Sequence, residues 1–297
     1  MNKKYIPSAL ILYLNYFIHG VGCSILGQAV IKEALAASWG VEVMAITAIS
    51  AALGLGRLIA LPFAGPLSDK LGRRISTAIG SGSYAIYLIG LALAFNAGTN
   101  GGYQIAYICA IVGGIANSFL DTCVSPTCME IYVNNPSVAN LFTKFSMCIS
   151  QFLLPFLIGF VAAANMSYRT IFIVAGAAIF IDGILILFLP FPDRNTTGAE
   201  KKEKTKLKIT PAAIAAILIG FTSSSTFMLW LNCNQELGKL YNLSDPSKIQ
   251  SFYAVGTFAA ILCSSVFIKK GLKEINILII YPLISFIMLG LCYFIQN

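Results

Sequence analysis

Long apolar runs alternate along the chain with short polar connections. The runs show no strict alternation of apolar and polar positions, so they favour membrane helices over the strands of a membrane barrel. A hydrocarbon core about 30 Å thick needs about 20 helical residues, and every run but the eighth supplies that length easily. The pattern therefore predicts an all-α membrane bundle with nine spans. Their predicted bounds are 6–31, 43–64, 75–95, 103–131, 138–164, 168–189, 211–230, 251–268 and 275–294.

The composition excludes a water-soluble globular protein. Apolar residues make up 57% of the 297 positions, charged residues only 11%, and the mean hydropathy is +0.79. Soluble domains carry about 25% charged residues. Disorder is excluded as well, because disordered chains are poor in apolar residues and rich in charge. We therefore interpret the chain as an integral membrane protein whose backbone polar groups are bonded within helices.

The distribution of Lys and Arg predicts the orientation of the spans. With the N-terminus inside, fifteen of these residues fall in inside segments and only four in outside segments. Lys144, near the start of the fifth span, is counted inside. Cytoplasmic loops carry such an excess of positive charge. The expected arrangement is an uncleaved first span in the plasma membrane, with a cytoplasmic N-terminus and Asn297 outside.

A Lys-rich polar stretch divides the chain unevenly. We predict a six-span N-terminal half at 1–190, a cytoplasmic linker at 191–210 and a partial C-terminal half of three spans at 211–297. The segment 49–63 in the second span weakly resembles 250–264 in the eighth, at an offset of about 200 residues, and repeats of six spans are a transporter design. That offset predicts about 400 residues and about twelve spans for the complete repeat, so the chain is expected to be about three spans short.

A motif follows the second span. It reads GPLSDKLGRR, and the positions that define it, here called the gating motif, are Gly65, Asp69, Lys70, Gly72, Arg73 and Arg74. Glycines permit a tight turn, and an Asp near a helix N-terminus meets the positive end of the helix dipole. The alternative is an ordinary cytoplasmic loop rich in positive charge. Such a loop explains the basic residues but not the spacing of the Gly and Asp residues.

In residue types, spacing and place, the gating motif resembles the signature of the major facilitator superfamily. The resemblance implies a bundle of two six-span halves and solute transport by alternating access. It also implies that the motif holds the two halves together on the cytoplasmic side, with Asp69 and Arg73 as gate residues rather than substrate ligands.

Three charged side chains lie inside predicted spans: Arg57, Asp121 and Asp182. A charge at the bilayer centre costs about 2.5–3.5 kcal/mol on insertion scales, so each of them needs a specific role. Asn117 and Ser125 lie four residues from Asp121 on either side, which predicts one polar face of the fourth span.

The segment Leu-Asp-Thr-Cys-Val-Ser-Pro, at 120–126, resembles the fourth span of the fucose:proton symporter branch of that superfamily. There the segment reads Leu-Glu-Thr, two residues, Asn-Pro, and its acid takes the coupled proton. The resemblance implies that Asp121 is the proton carrier. Two residues of the segment differ, and the first span has Gln28 near the place where that branch has an acid. The alternative is a structural Asp121 that pairs with Arg57 or another buried donor.

Arg57 lies eight residues before Gly65, about two helical turns into the membrane. We expect an intramembrane charge pair of Arg57 with Asp182, or with Asp121, or a contact with a substrate carboxylate. The alternative is a side chain that extends along the helix toward the cytoplasm. Asp182 lies in the sixth span, which is peripheral in the superfamily, and a structural role is the simpler expectation for it.

Polar residues in several spans are candidates for a substrate cavity. They are Asn15, His19, Gln28, Asn117, Gln151 and Trp230. His19 is the only histidine of the chain, and it either takes part in proton transfer or is a packed, hydrogen-bonded residue. Neutral donors and acceptors beside an aromatic ring suit a polyhydroxylated solute such as a sugar. Ser and Thr in the seventh span also serve ordinary helix packing.

Together these features predict a secondary active transporter that moves a small polar solute, a sugar in the leading hypothesis, together with protons. The alternatives are an exporter or an organic-anion carrier of the same superfamily, with Arg57 binding the anion, and a transporter-like receptor without transport. No enzyme is expected, since the chain lacks a glycine-rich nucleotide loop and a nucleophile–histidine pair with a third member. No cofactor, metal or nucleic acid is expected, and the eight cysteines are interpreted as small apolar residues. The expected partners are the solute, protons and the lipid bilayer.

Overall fold

Helices account for nearly all of the described chain. The computed structural model describes residues 3–192 and 210–295. Within those residues there are ten α-helices, two short 3₁₀ turns and no strand, which confirms the all-α prediction. The helices are α1 (Ile6–Ser24), α2 (Ala29–Trp39), α3 (Val43–Leu71), α4 (Arg73–Ala97), α5 (Gly102–Ile131), α6 (Pro136–Ala163), α7 (Arg169–Phe188), α8 (Pro211–Leu240), α9 (Lys248–Lys269) and α10 (Glu274–Ile295).

Eight stretches of the described residues are long and apolar enough to cross a membrane. The ninth predicted span coincides with α10, whose apolar stretch Ile275–Leu291 is shorter than the other eight. Large apolar side chains cover the outer faces of the bundle; Leu58, Phe156 and Phe188 are 72%, 60% and 81% exposed. Faces of this kind are suited to hydrocarbon rather than to water.

The first predicted span is not continuous, which corrects the expectation of one helix over 6–31. After α1 a 3₁₀ turn covers Ile25–Gly27, and α2 starts only after Gln28, whose backbone is extended. The break lies where α8 comes closest. A Cβ atom on Gly27 would lie 2.2 Å from the carbonyl oxygen of Leu231 in α8, so only glycine allows the two backbones to approach this closely.

The gating motif lies in the ends of two helices rather than in a loop, which corrects the predicted loop over 65–74. Helix α3 continues to Leu71 and α4 begins at Arg73, so the connection is the single residue Gly72. Gly72 has a φ of +89°, a left-handed conformation that favours glycine. Hydropathy marks only the apolar part of a helix, so it did not detect polar ends that project beyond the hydrocarbon.

Helix α5 is central to the first group of helices and packs against α3 and α4. The approach of α3 to α5 depends on small residues. A Cβ atom on Gly56 would lie 2.0 Å from the carbonyl oxygen of Ile111, and one on Gly114 would lie 2.0 Å from that of Leu53. This close contact places the next residue of α3, Arg57, beside the polar face of α5.

Helices from both predicted halves are in contact. Helix α9 packs against α6, where the ring centroids of Phe145 and Phe258 are 5.1 Å apart. Helix α8 packs against the 3₁₀ turn that follows α1. Most of the predicted linker 191–210 lies outside the described residues. The division into halves at 1–190 and 211–297 therefore stays a prediction.

Candidate functional site

A charged cluster joins α1, α3 and α5. Arg57 Nη2 donates to Asp121 Oδ2 at 2.6 Å, and the Tyr16 hydroxyl donates to Asp121 Oδ1 at 2.7 Å. The Ser125 hydroxyl, one turn further along α5, donates to the Tyr16 oxygen at 3.4 Å. We call Tyr16, Arg57, Asp121 and Ser125 the Asp121 cluster. The side chains of Arg57 and Asp121 are 42% and 22% exposed, so the ion pair borders open space.

The other intramembrane acid makes different contacts. Asn15 Nδ2 donates to Asp182 Oδ2 at 2.6 Å and to Ser81 Oγ at 2.8 Å. The predicted pair of Arg57 with Asp182 is therefore wrong, and of the two candidate acids it is Asp121 that pairs with Arg57. The reason is placement: Asp182 lies on α7, which packs against α4 and α1, whereas Arg57 faces α5. Asn15 is fully buried, and its contribution to a substrate cavity stays a prediction.

His19 extends the Asp121 cluster along α1. Its Nε2 lies 2.6 Å from Asn117 Oδ1 on α5 and 3.3 Å from Cys23 Sγ. The ring centroids of His19 and Tyr16 are 5.3 Å apart. His19 is buried, and its Nδ1 has no hydrogen-bond partner among the described residues. The structure thus brings two predicted cavity residues, His19 and Asn117, next to the cluster. Their role in substrate binding stays a prediction.

Lys144 is a charged residue of the site, although its place in the sequence predicted a cytoplasmic position. It lies eight residues after the first residue of α6, Pro136, and its Nζ is 5.1 Å from the centroid of the Tyr16 ring. This is a cation–π contact. The signal in the sequence was the position of Lys144 inside the predicted span 138–164, where a charge requires a partner. Because Lys144 was counted with the loop charges, its need for a partner inside the span was not recognised.

The remaining cavity candidates lie elsewhere in the bundle. Gln28 is buried and accepts a hydrogen bond from Gln235 Nε2 at 2.8 Å. Gln151 is buried and donates to Ser24 Oγ at 3.0 Å. Trp230 is half-buried, and its indole N–H has no hydrogen-bond partner in the described part of the chain. Gln28 and Gln151 therefore connect helices here, and the contribution of all three to a substrate cavity stays a prediction.

Arg73 organises the gating motif. Its Nη1 donates to Ser68 Oγ and to the carbonyl oxygen of Thr122, each at 2.9 Å. Its Nη2 lies 3.5 Å from Glu130 Oε1 and 3.7 Å from Asp69 Oδ1. Arg73 therefore joins the start of α4 to the end of α3 and to α5. These contacts are within the first group of helices, and the proposed role of the motif in holding the two halves together stays a prediction.

A cavity of about 280 Å³ borders the gating motif. Besides motif residues it is lined by Glu130 and by Phe191 and Pro192, which follow α7. Lys70 and Arg74 are exposed at this end of the bundle. Ser8, near the start of α1, donates to the carbonyl oxygen of Pro190, which follows α7. The start of α1, the end of α3 and the end of α7 therefore share one end of the bundle, which we predict to be cytoplasmic.

Polar contacts connect the two groups of helices at the opposite end. Lys32 Nζ in α2 lies 3.0 Å from Glu236 Oε1 in α8 and donates to the carbonyl oxygen of Asn232 at 2.6 Å. The Ala29 amide donates to Gln235 Oε1 at 2.7 Å. These contacts were not predicted from the sequence, because the apolar run over 6–31 predicts a single helix.

The chemistry of the site is that of hydrogen bonds and charges. Among the described residues there is no group of three or more His, Cys, Asp or Glu side chains that could hold a metal ion. Seven cysteines are described, and all seven are free thiols. The Asp121 cluster consists of a carboxylate paired with a guanidinium cation, together with the hydroxyl groups of Tyr16 and Ser125, which can hydrogen-bond a polar solute.

Comparisons with known proteins agree with this architecture. The family profile described as Major Facilitator Superfamily matches residues 12–297. The chain is 31% identical to the inner membrane transport protein YdiM of Escherichia coli (strain K12), over 97% of this chain and 72% of YdiM. It is 29% identical to the uncharacterized MFS-type transporter YfkL of Bacillus subtilis (strain 168), over 96% of this chain and 72% of YfkL.

Among solved structures, a D-xylose-proton symporter superposes with a TM-score of 0.59 at 15% identity, covering 89% of this chain and 67% of that chain. At that identity the likeness shows the fold alone. Membrane-length helices in two contacting groups, with a charged cluster inside, are the architecture of a solute transporter. The profile match covers nearly the whole sequence, and the chain belongs to the Major Facilitator Superfamily. It is a multi-pass membrane protein.

Proposed function

We propose that this protein moves a small polar solute across the plasma membrane by alternating access, in a cycle coupled to protons, with its N-terminus in the cytoplasm. Asp121 is the proton-coupling residue. The single observation that carries the proposal is that Asp121 holds two other helices at once, α3 through Arg57 and α1 through Tyr16.

Proton uptake at Asp121 has a direct mechanical consequence. The ionised carboxylate accepts charge-assisted bonds, which are stronger than bonds between neutral groups. A proton on Asp121 removes the negative charge, converts one acceptor oxygen into a donor and weakens the contact with Arg57. The polar contacts that connect α1 and α3 to α5 at this place are then weaker. Because Arg57 and Asp121 are partly exposed, a proton and a solute have access to the same place.

The solute in this proposal is a hydroxylated compound, in the simplest case a sugar. Asn117 and Ser125 flank Asp121 on the same face of α5 and supply neutral hydrogen-bonding groups. Such groups bind hydroxyls without the cost of burying an additional charge. The gating motif acts as a brace in this cycle, with Asp69 and Arg73 fixing the ends of α3 and α4 whenever the cytoplasmic side is closed.

Uptake into proteoliposomes tests the proposal. The 297-residue chain is reconstituted and offered radiolabelled D-xylose, D-glucose and D-glucuronate, with and without an inward proton gradient. We expect at least one solute to accumulate only with the gradient. Asp121→Asn keeps the shape of the side chain but cannot cycle a proton, so it should retain solute exchange and lose accumulation.

The matched control is Asp245→Asn, which neutralises a half-exposed acid between α8 and α9 that pairs with Lys248 and accepts hydrogen bonds from Ser247. It should accumulate solute like the unaltered protein. Gradient-driven accumulation by Asp121→Asn at the unaltered rate would remove Asp121 from the coupling role. Binding of solute by the unaltered protein without any flux would instead support the receptor alternative.

A further inference from the structure

Lys144 presents a cation to the open space beside the Asp121 cluster. It lies eight residues into α6, which corresponds to about 12 Å along the helix axis. Its side chain is exposed although its backbone belongs to a membrane-length helix. The Nζ atom is directed at the face of the Tyr16 ring, 5.1 Å from its centroid, and so toward the bundle interior.

The charges around this space do not balance within the described part of the chain. Arg57 and Lys144 are cations, and Asp121 is the acid between them. Both carboxylate oxygens of Asp121 are engaged, Oδ2 by Arg57 and Oδ1 by Tyr16. The site therefore has one positive charge more than it has negative charges. An unbalanced charge at membrane depth is costly and is a marker of a functional site.

Tyr16 explains why Lys144 points into the site instead of extending toward the cytoplasm. The ring face attracts the ammonium, while the hydroxyl of the same ring donates to Asp121. A cation on a ring face keeps its N–H donors available, because the ring uses no individual donor. Lys144 is therefore held in place, and within the described residues no hydrogen bond occupies its donors, which can bind a ligand.

We propose that Lys144 binds the carboxylate of the transported solute, with Arg57 beside it, and that the solute is a small hydroxylated monocarboxylate. This inference rests on the proposed function and names the class of solute for the same site. One carboxylate neutralises the surplus charge, and the hydroxyls meet the neutral groups of Asn117 and Ser125. A neutral sugar leaves the positive charge of Lys144 without a counter-charge, and a cationic solute adds a further positive charge to the site.

Binding to the purified 297-residue chain tests the inference independently of transport. The probes are D-glucuronate, D-gluconate and L-lactate, with D-glucose as the neutral match of glucuronate and D-glucosamine as its cationic match. Thermal unfolding is followed at rising probe concentration. We expect at least one carboxylate to raise the unfolding temperature, and D-glucose and D-glucosamine to have little effect.

Three variants separate charge from structure. Lys144→Met keeps the length of the apolar stem and removes the charge, and it should weaken carboxylate binding at least tenfold. Lys144→Arg keeps the charge and should retain binding within a few-fold. Lys248→Met removes an exposed lysine at the start of α9 and should leave binding unchanged. If Lys144→Met does not fold, Lys144→Gln replaces it.

The possible outcomes distinguish a failure of the carboxylate site from a failure of the proposed transport function. Failure of all three carboxylates to bind, or binding that Lys144→Met and Lys144→Gln leave intact, overturns the carboxylate site. Proton-driven accumulation of D-glucose that is insensitive to Lys144→Met overturns it as well and leaves the proposed function standing. Carboxylate binding that depends on Lys144, without flux in proteoliposomes, supports the site and contradicts the transport cycle.

Discussion

Lys32 and Glu236 form an ion pair of 3.0 Å that joins α2 to α8 across the two groups of helices. Lys32 is only 4% exposed, whereas Glu236 is 48% exposed. The same Lys32 ammonium also donates to the carbonyl oxygen of Asn232. Lys32 therefore joins the two groups of helices at the end opposite the gating motif, and it is shielded from solvent with no other described acid as a partner.

Loss of this pair should open that end of the bundle. Lys32→Met removes a charge-assisted bond worth about 1.5–3 kcal/mol in typical proteins. We expect the half-buried Cys233 of α8 to react about ten times faster with a membrane-impermeant maleimide, in a chain whose other cysteines are replaced by serine.

The matched control is Lys239→Met. Lys239 pairs with Glu33 at 3.5 Å between the same two helices, but both side chains are more than half exposed. Exposed pairs contribute about 0–1 kcal/mol, so the labelling rate should change less than threefold. Equal labelling of the Lys32→Met variant and the unaltered protein would show that the pair does not close this end.

Replacing Arg73 with lysine should destabilise the protein far more than replacing its neighbour Arg74 with lysine. The guanidinium of Arg73 reaches Ser68, Thr122 and Glu130 together, and a lysine ammonium cannot reproduce that fork. We expect Arg73→Lys to lower the free energy of unfolding in lipid–detergent mixtures by about 1–3 kcal/mol. Arg74→Lys, on an exposed side chain, should stay within about 0.5 kcal/mol. Indistinguishable unfolding of the two variants would contradict the brace assigned to Arg73.

Asp182 should tolerate asparagine but not leucine. It is buried and accepts a hydrogen bond from Asn15, which an asparagine oxygen can also accept. Asp182→Leu has a similar volume but leaves the Asn15 amide without that acceptor, at a cost of about 1–3 kcal/mol. Heat-induced unfolding of the purified variants measures the difference. A leucine variant as stable as the asparagine variant would mean that the Asn15 bond contributes little.

Two glycines of α3 should respond in opposite ways to alanine. A methyl group on Gly56 would lie 2.0 Å from the carbonyl oxygen of Ile111, whereas one on Gly54 would meet no atom within 4 Å. Gly56→Ala should therefore cost about 1–3 kcal/mol through overpacking, or abolish folding. Gly54→Ala should be neutral or stabilise by up to about 1 kcal/mol, because alanine favours a helix. Equal expression and unfolding temperature of both variants would contradict the close contact of α3 with α5.

The predicted site and the observed site overlap in part. Asp121, Asn117 and Ser125 were predicted to share one face of a helix, and their hydrogen bonds to α1 agree with that face. The helical period alone is sufficient for this prediction, since residues four apart lie above one another. The partner of Arg57 was left between two acids, because the sequence does not say which helix packs against α3.

Lys144 and Lys32 make contacts that the sequence did not predict. Both were counted as loop charges, and both make contacts inside or between the helix groups. A charge count assigns a residue to one side of the membrane but does not give the direction of its side chain. Tyr16 escaped notice for a related reason: an aromatic residue in an apolar run has no pattern that distinguishes a hydrogen-bonding role from packing.

The sequence by itself determined the membrane class, the helical architecture and the family, because long apolar runs and the gating motif are local patterns of residue type. The tertiary structure alone decided that Asp121 pairs with Arg57, that Asn15 holds Asp182, and that α2 contacts α8. These facts depend on which helices lie side by side and how each is rotated about its axis. Glycines such as Gly27 and Gly56 set that packing through close backbone contacts, whose partners are distant in the chain.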